Sequence, residues 1–144
     1  MASIKISTGL KVYDIEDENG NVRGQISFNP SDMNFYTRAN DMVDNMDKWT
    51  LELEGLNDSE LTEKDIADKV KELDARVKEE INQLFDDENA SAVVFGNQNV
   101  FNTLNGVSFV ERFLTAFMPI IKKEFDKEQK KSNERISKYT KQVK

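Results

Sequence analysis

The chain has 144 residues, enough for one domain of the usual ~100 to 200 residues and for a core that needs no cross-links. It contains no Cys and no His, which removes disulfides, thiolate nucleophiles, iron–sulfur clusters, Cys-ligated zinc and the most frequent general base. Its 27 Asp and Glu outnumber 20 Lys and Arg for a net charge of −7, so phosphate backbones are repelled and the charge balance argues against nucleic acid as the default partner.

The first 28 residues read as strands. Ile4 and Ile6 alternate with polar neighbours, and a second alternating run surrounds Asn19-Gly20, the dipeptide best suited to the two positive φ angles of a type I′ hairpin turn. With that pair as the loop, Asp17 faces Val22, Ile15 faces Gly24, Tyr13 faces Ile26 and Lys11 faces Phe28. Tyr13, Ile15, Val22, Ile26 and Phe28 then share one greasy face, which must cover something because a lone hairpin is marginal in water. A first helix is expected from Asn29 as N-cap, with Pro30 at the first helical position and Asp32 in the first turn. Phe35, Ala39, Met42, Met46 and Trp49 follow at alternating spacings of four and three, while Arg38, Asp41, Asp44 and Asp47 form the solvated side.

The pattern breaks in a turn-rich stretch from Gly55 to Ser59. Thr62 and Asp65 then resemble a capping box for a second helix, whose stripe is Ile66, Val70, Leu73, Val77, Ile81 and Leu84. An acidic connection over residues 86–92 leads to Val93, Val94, Phe95 and Gly96. A short helical turn is expected within Asn97–Gly106 from the spacing of Val100, Phe101 and Leu104. Ser108 and Glu111 form an S-x-x-E capping box, and Phe109, Phe113 and Phe117 recur at i, i+4 and i+8 on the helix it opens, with Val110, Leu114, Ile120 and Ile121 beside them. Pro119 should bend this helix or mark a junction near its end. The tail from Lys122 to Lys144 carries nine Lys or Arg and four acidic residues, net +5, which leaves residues 1–121 at −12. It has helical propensity and a thin stripe of Phe125, Ile136, Tyr139 and Val143.

The expected fold class is α+β: an N-terminal β-hairpin or small antiparallel sheet packed on a mainly helical domain of three or four helices, with a basic helical C-terminal tail. Residues 1–121 form the globular domain, strands over 1–28 and mainly helix over 29–121, and residues 122–144 form the tail. The apolar runs are too short to span a membrane, and MASIKISTGL lacks the pattern of a secretory signal, so an intracellular, soluble protein is expected.

Little in the chain suggests catalysis. Asp14, Glu16 and Glu18 alternate as in a calcium loop, but an EF-hand needs Gly where Asn19 stands and Glu where Gln25 stands, so a hairpin accounts for them better. Asp86, Asp87 and Glu88 read as a solvated helix end. Gly96 and Gly106 stand apart from any phosphate-binding loop pattern. No enzyme activity, cofactor or metal is expected. The Phe109, Phe113, Phe117 stripe is core material by default; the sharper reading is that part of it lines a groove, because Met and Phe surfaces re-pack around varied apolar partners.

The order of the pieces carries a further signal. A hairpin ends in I-S-F-N-P-S-D-M-N-F (Ile26 to Phe35), a long helix follows, then V-F-G-N-Q-N-V-F (Val94 to Phe101) and F-V-E-R-F-L-T-A-F-M-P-I-I (Phe109 to Ile121), and a lysine-rich tail closes the chain. This resembles the small tail assembly chaperones of long-tailed phages and prophages of Gram-positive bacteria, over most of the chain. The resemblance implies a non-enzymatic protein of the host bacterial cytoplasm that binds the tape measure protein, the tail tube protein or both during virion assembly. Phe109, Phe113, Phe117 and Met118 would then carry partner binding, with Phe125, Ile136 and Tyr139 of the tail as a second contact. Two alternatives are a ring-forming head or tail connector, hence a homo-oligomer, and a nucleic-acid binder acting through the basic tail.

Overall fold

A computed structural model of the chain describes residues 1–57 and 60–143; Asp58 and Ser59 of the turn-rich stretch and Lys144 lie outside the described residues, as do the side chains of Tyr139 and of residues 141–143. Two strands, β1 (Lys11–Glu16) and β2 (Val22–Phe28), form an antiparallel sheet. It packs on the helices α1 (Met33–Gly55), α2 (Glu63–Phe85), α3 (Ala90–Phe95) and α4 (Phe109–Val143). A second small antiparallel pair, β3 (Thr103–Leu104) and β4 (Val107–Ser108), precedes α4. The architecture is the α+β arrangement expected from the sequence.

The strand register follows the hydrophobic alternation: Lys11 pairs with Phe28, Tyr13 with Ile26 and Ile15 with Gly24. The turn differs from expectation. The Asp17 N–H donates to the Asn21 carbonyl and the Gly20 N–H to the Asp17 carbonyl, so the loop is Glu18-Asn19-Gly20, with positive φ at Gly20 and not at Asn19. This is the three-residue hairpin solution, a tight turn followed by a left-handed Gly. The Asp17 carboxylate stabilises it by accepting from the N–H groups of Asn19 and Asn21 at 2.9 and 3.0 Å. The longer loop shifts the pairing by one residue, and an irregularity at Arg23, between Val22 and Gly24, shifts it back, since Glu16 pairs with Val22 and Ile15 with Gly24. Val22 is thereby turned off the greasy face and stands 55% exposed.

Three other expectations are corrected. Residues 1–10 are not a strand, and Ile4 and Ile6 are exposed; no described strand pairs with this segment, and without a partner its alternation buries nothing. Asn29 is not the N-cap of α1. Its carboxamide oxygen accepts from the Ser31 N–H and hydroxyl, its Nδ2 donates to the Thr8 carbonyl, and Asp32 caps the helix by accepting from the Asn34 N–H. The chain therefore turns once more before α1, with Pro30 buried in the turn. The segment 97–106 ends in a hairpin: Asn105 and Gly106 both have positive φ and join Leu104 to Val107, so the type I′ turn sits here.

The caps at Thr62 and Ser108 form as read, accepting from the N–H groups of Asp65 and Glu111. Pro119 does not end its helix, and α4 continues through it to Val143. Pro119 and Thr115, whose carbonyl loses its i+4 donor, are both exposed, where water can replace that donor.

The core collects the apolar stripes of all four helices and the inner face of the sheet. Polar side chains fix the irregular segments to α2: Asn82 Oδ1 accepts from the Ser91 N–H at the start of α3, and Asp74 Oδ1 from the Val100 N–H, each at 2.8 Å. Gly24 lets β2 rest directly on α3, since a Cβ there would lie 2.9 Å from Val93 Cγ1. Gly24→Ala should therefore lower stability by about 1–3 kcal/mol through overpacking. The check is the urea midpoint of Gly24→Ala, Val93→Ala and the double variant. The double variant should lose less than the sum of the singles, and additive losses would contradict the close approach.

Candidate protein-binding groove

The inner face of the sheet and the first three turns of α4 lie side by side without closing completely. Between them runs a groove of about 590 Å³. Tyr13, Ile15 and Ile26 form its wall on the sheet side, and Phe109, Phe113 and Ile120 its wall on α4. Phe28, Phe117 and Val94 close the back, and Leu104 of the β3–β4 hairpin stands at one end. Helical spacing places the three α4 phenylalanines on one side, and the rings lock one another. Phe113 stacks on Phe117 at 5.3 Å between centroids, and Phe95 meets Phe109 and Phe113 edge-on at 4.9 and 5.9 Å. The groove thus has apolar walls carried on the hairpin and α4, with polar residues over the rest of its lining.

Its rim is charged asymmetrically. Asp14, Glu16, Asp17 and Glu18 of β1 and its turn line it together with Arg23 and Arg112, and Asp14 accepts from the Gln25 amide. Arg112 is held in place, donating to the carbonyls of Val107 and Asn102 with its Cζ 4.8 Å from the centre of the Phe109 ring. The loop N–H of Asn21, and then that of Asn19, hold the Asp17 carboxyl below its ordinary range, so it stays charged at the rim. Among the described residues no group of three or more acidic side chains is arranged to hold a metal ion, and no helix is long and apolar enough to cross a membrane. What the arrangement offers chemically is an apolar slot with a net acidic edge.

The residues singled out in the sequence fall into three places. Phe109 and Phe113 are half-buried in the groove wall, and Phe117 lies behind them, 4% exposed and part of the core. Met118 is half-buried against the core and is not a groove residue. Phe125 stacks on Tyr36 of α1 at 4.4 Å, so it fastens α4 to the body. Ile136 is 60% exposed on the projecting end of α4; Tyr139 lies one turn further along, its side chain outside the described residues. The structure therefore brings Phe109, Phe113 and Phe117 together and keeps Phe125 and Ile136 apart from them. Sequence reasoning did not assign Ile15, Ile120, Leu104 or the acidic strand edge to this site. The signal for Leu104 was the Asn105-Gly106 turn; alternation puts Ile15 on the greasy face and helical spacing puts Ile120 beside the phenylalanines, but nothing local says that the two faces meet.

Lys11, on the inner face of β1, spans to α4 and pairs with Glu124 at 3.1 Å. The hydrogen bond from Lys11 holds the Glu124 carboxyl below its ordinary range, and the same bond raises the Lys11 ammonium. A depressed carboxyl contributes above its unfolded pKa and is lost as pH falls through the folded value; a raised ammonium contributes below its unfolded pKa and is lost as pH rises through the folded value. The tie is therefore complete between the ordinary glutamate and lysine ranges. Glu124→Gln should speed hydrogen exchange at amides 122–129 of α4 at neutral pH. Compared as protection factors, which remove the pH dependence of intrinsic exchange, acidification below the glutamate range should reproduce the loss of protection in the parent and add nothing in the variant. Equal acid sensitivity in both would contradict the assignment.

Comparison of the chain with protein-family models, curated proteins and solved structures finds no match.

Proposed function

We propose that this chain is a non-enzymatic tail assembly chaperone of a long-tailed phage or prophage, acting in the host cytoplasm on the tape measure protein, the tail tube protein or both. The assembly context comes from the sequence resemblance. The observation that supports a binding role is the groove, in which Phe109, Phe113 and Ile120 face the greasy side of the hairpin across an open slot. Ile120 is 40% and Leu104 60% exposed, so part of its apolar lining stays uncovered by any segment among the described residues. A slot of this shape suits an amphipathic helix, read through side chains at i, i+3, i+4 and i+7.

The physical task fits that chemistry. A long helical protein with an apolar stripe aggregates when free, and a small acidic domain seated on the stripe covers it while adding like charge that keeps the complexes dispersed. Release to polymerising tube subunits requires many contacts that are individually weak. A preformed slot that takes a few side chains per copy meets that requirement.

Co-expression with the tape measure protein of the same genome tests the proposal. The tape measure should become soluble and co-purify with the chain. Leu104→Glu/Ile120→Glu should reduce the retained tape measure by about tenfold or more while moving the unfolding midpoint little, since both side chains are exposed. Equal solubility with and without the chain, and nothing co-purifying, would end the proposal. The connector alternative, for which the projecting basic end of α4 is the favouring feature, places the chain in finished virions. Mass spectrometry of purified particles separates the two, because a chaperone is left behind.

A further inference from the structure

The face of α4 that forms a wall of the groove continues past the end of the groove. Counted at ~100° per residue, the groove-lining Phe109, Phe113, Ala116 and Phe117 stand within about 60° of Ile120 around the helix. Past Ile120 the same arc carries Lys123, Lys127, Lys131, Arg135 and Lys138, each within about 60° of it and each exposed. Two acidic residues share the arc, Glu124, which is paired with Lys11 at 3.1 Å, and Glu134. Lys131 reaches Glu128 at 4.0 Å, while Lys123, Lys127, Arg135 and Lys138 take part in no ion pair among the described residues. Phe125 stands about 140° from Ile120 and stacks on Tyr36 of α1, so the body holds the opposite side and the cations face solvent.

One helix face thus presents an apolar slot and then a basic stripe. At ~1.5 Å per residue, Phe109 to Ile120 covers about 16 Å and Lys123 to Lys138 about 22 Å. A straight partner lying along α4 in the slot is carried over the stripe. We propose that the groove's helical partner has two parts, an apolar stripe that fills the slot and, on the same face, an acidic stretch that lies over Lys123, Lys127, Lys131, Arg135 and Lys138. This rests on the groove as a binding site for a helix, and adds the charge that the helix carries beside its apolar stripe. The basic stripe alone is a weak protein interface, because exposed ion pairs contribute little singly and the arc holds no apolar side chain between Ile120 and Lys138. Joined to the slot, it fixes where along α4 the partner sits. Residues 1–121 carry a net −12, so an acidic stretch is repelled by the body and settles over the stripe.

The probe is a designed helical peptide of about 30 residues, with Leu at i, i+3, i+4 and i+7 over one half and Glu on the same face of the other. Both orders of the halves are made, each with a twin carrying Gln for Glu. Fluorescence anisotropy reads binding to the full chain at low and at high salt. In at least one order the Glu peptide should bind about tenfold or more tightly than its Gln twin at low salt, and the difference should shrink at high salt. Lys127→Glu/Lys131→Glu/Arg135→Glu should erase that preference and favour a peptide with Lys in place of Glu, a gain that misfolding cannot produce. Leu104→Glu/Ile120→Glu should weaken the Glu and Gln peptides alike. Equal affinity for Glu and Gln peptides in both orders, or a preference that survives the charge reversal, would overturn the inference; the groove itself stands if Leu104→Glu/Ile120→Glu still weakens both. Binding indifferent to Leu104→Glu/Ile120→Glu would overturn both conclusions. A DNA duplex of about 20 base pairs should bind more weakly than the Glu peptide, and tighter binding of the duplex would assign the stripe to nucleic acid and overturn the inference.

Discussion

The ring of Phe28 is shared by four other elements: it stacks on Tyr13 of β1 and Phe35 of α1 at 4.6 and 5.0 Å, and meets Phe117 of α4 and Phe85 of α2 edge-on at 5.2 and 5.5 Å. A two-stranded sheet has too little of its own to stand in water, and this contact supplies the missing partner. Since one side chain couples the hairpin to three helices, its loss would undo several interfaces together; removal of a buried Phe side chain typically costs about 3–5 kcal/mol. The fold is thus organised around an aromatic cluster at the base of the hairpin, extended by Phe95, Phe109 and Phe113.

That anchoring explains why a groove exists. Besides the ring contacts of Phe28 and Tyr13, the sheet leans on α3 through Gly24 and Val93, and α4 is tied to β1 at its far side by Lys11 and Glu124. Between these fixed points the strands and the start of α4 run beside each other without interdigitating. The surplus of apolar side chains on both walls remains accessible. The apolar area left open lies where the walls of β1 and α4 face each other, while Ile26 and Phe28 of the same hairpin are buried in the core.

Much of this was legible in the sequence wherever the determinants are local. The stripe from Leu73 to Leu84, the Thr62 and Ser108 caps and the register of Tyr13 opposite Ile26 each follow from spacing within a few residues. The failures have a common cause in competition between equally good local solutions. Asn29 reads as the cap of α1, but its carboxamide is engaged by Ser31 and the Thr8 carbonyl, and Asp32, of an equally good capping type, takes the position. Asn19-Gly20 and Asn105-Gly106 carry the same turn dipeptide. Only the second forms the two-residue turn, because Asp17 accepts two loop N–H groups and favours a longer loop at the first. The groove itself was only half legible. Helical spacing identifies the phenylalanine stripe, but whether a ring ends in the core, as Phe117 does, or in a wall, as Phe113 does, depends on where the hairpin sits.

A binding role rests on the slot being the surface that a helical client touches. The most direct measurement is a methyl NMR titration of the isoleucine- and leucine-labelled full chain with a helical tape measure segment. Ile15, Ile26, Leu104 and Ile120 should shift together, with Ile66 of α2, which does not line the groove, unmoved. Saturable binding that shifts Ile4 and Ile6 while leaving the groove methyls in place would contradict it.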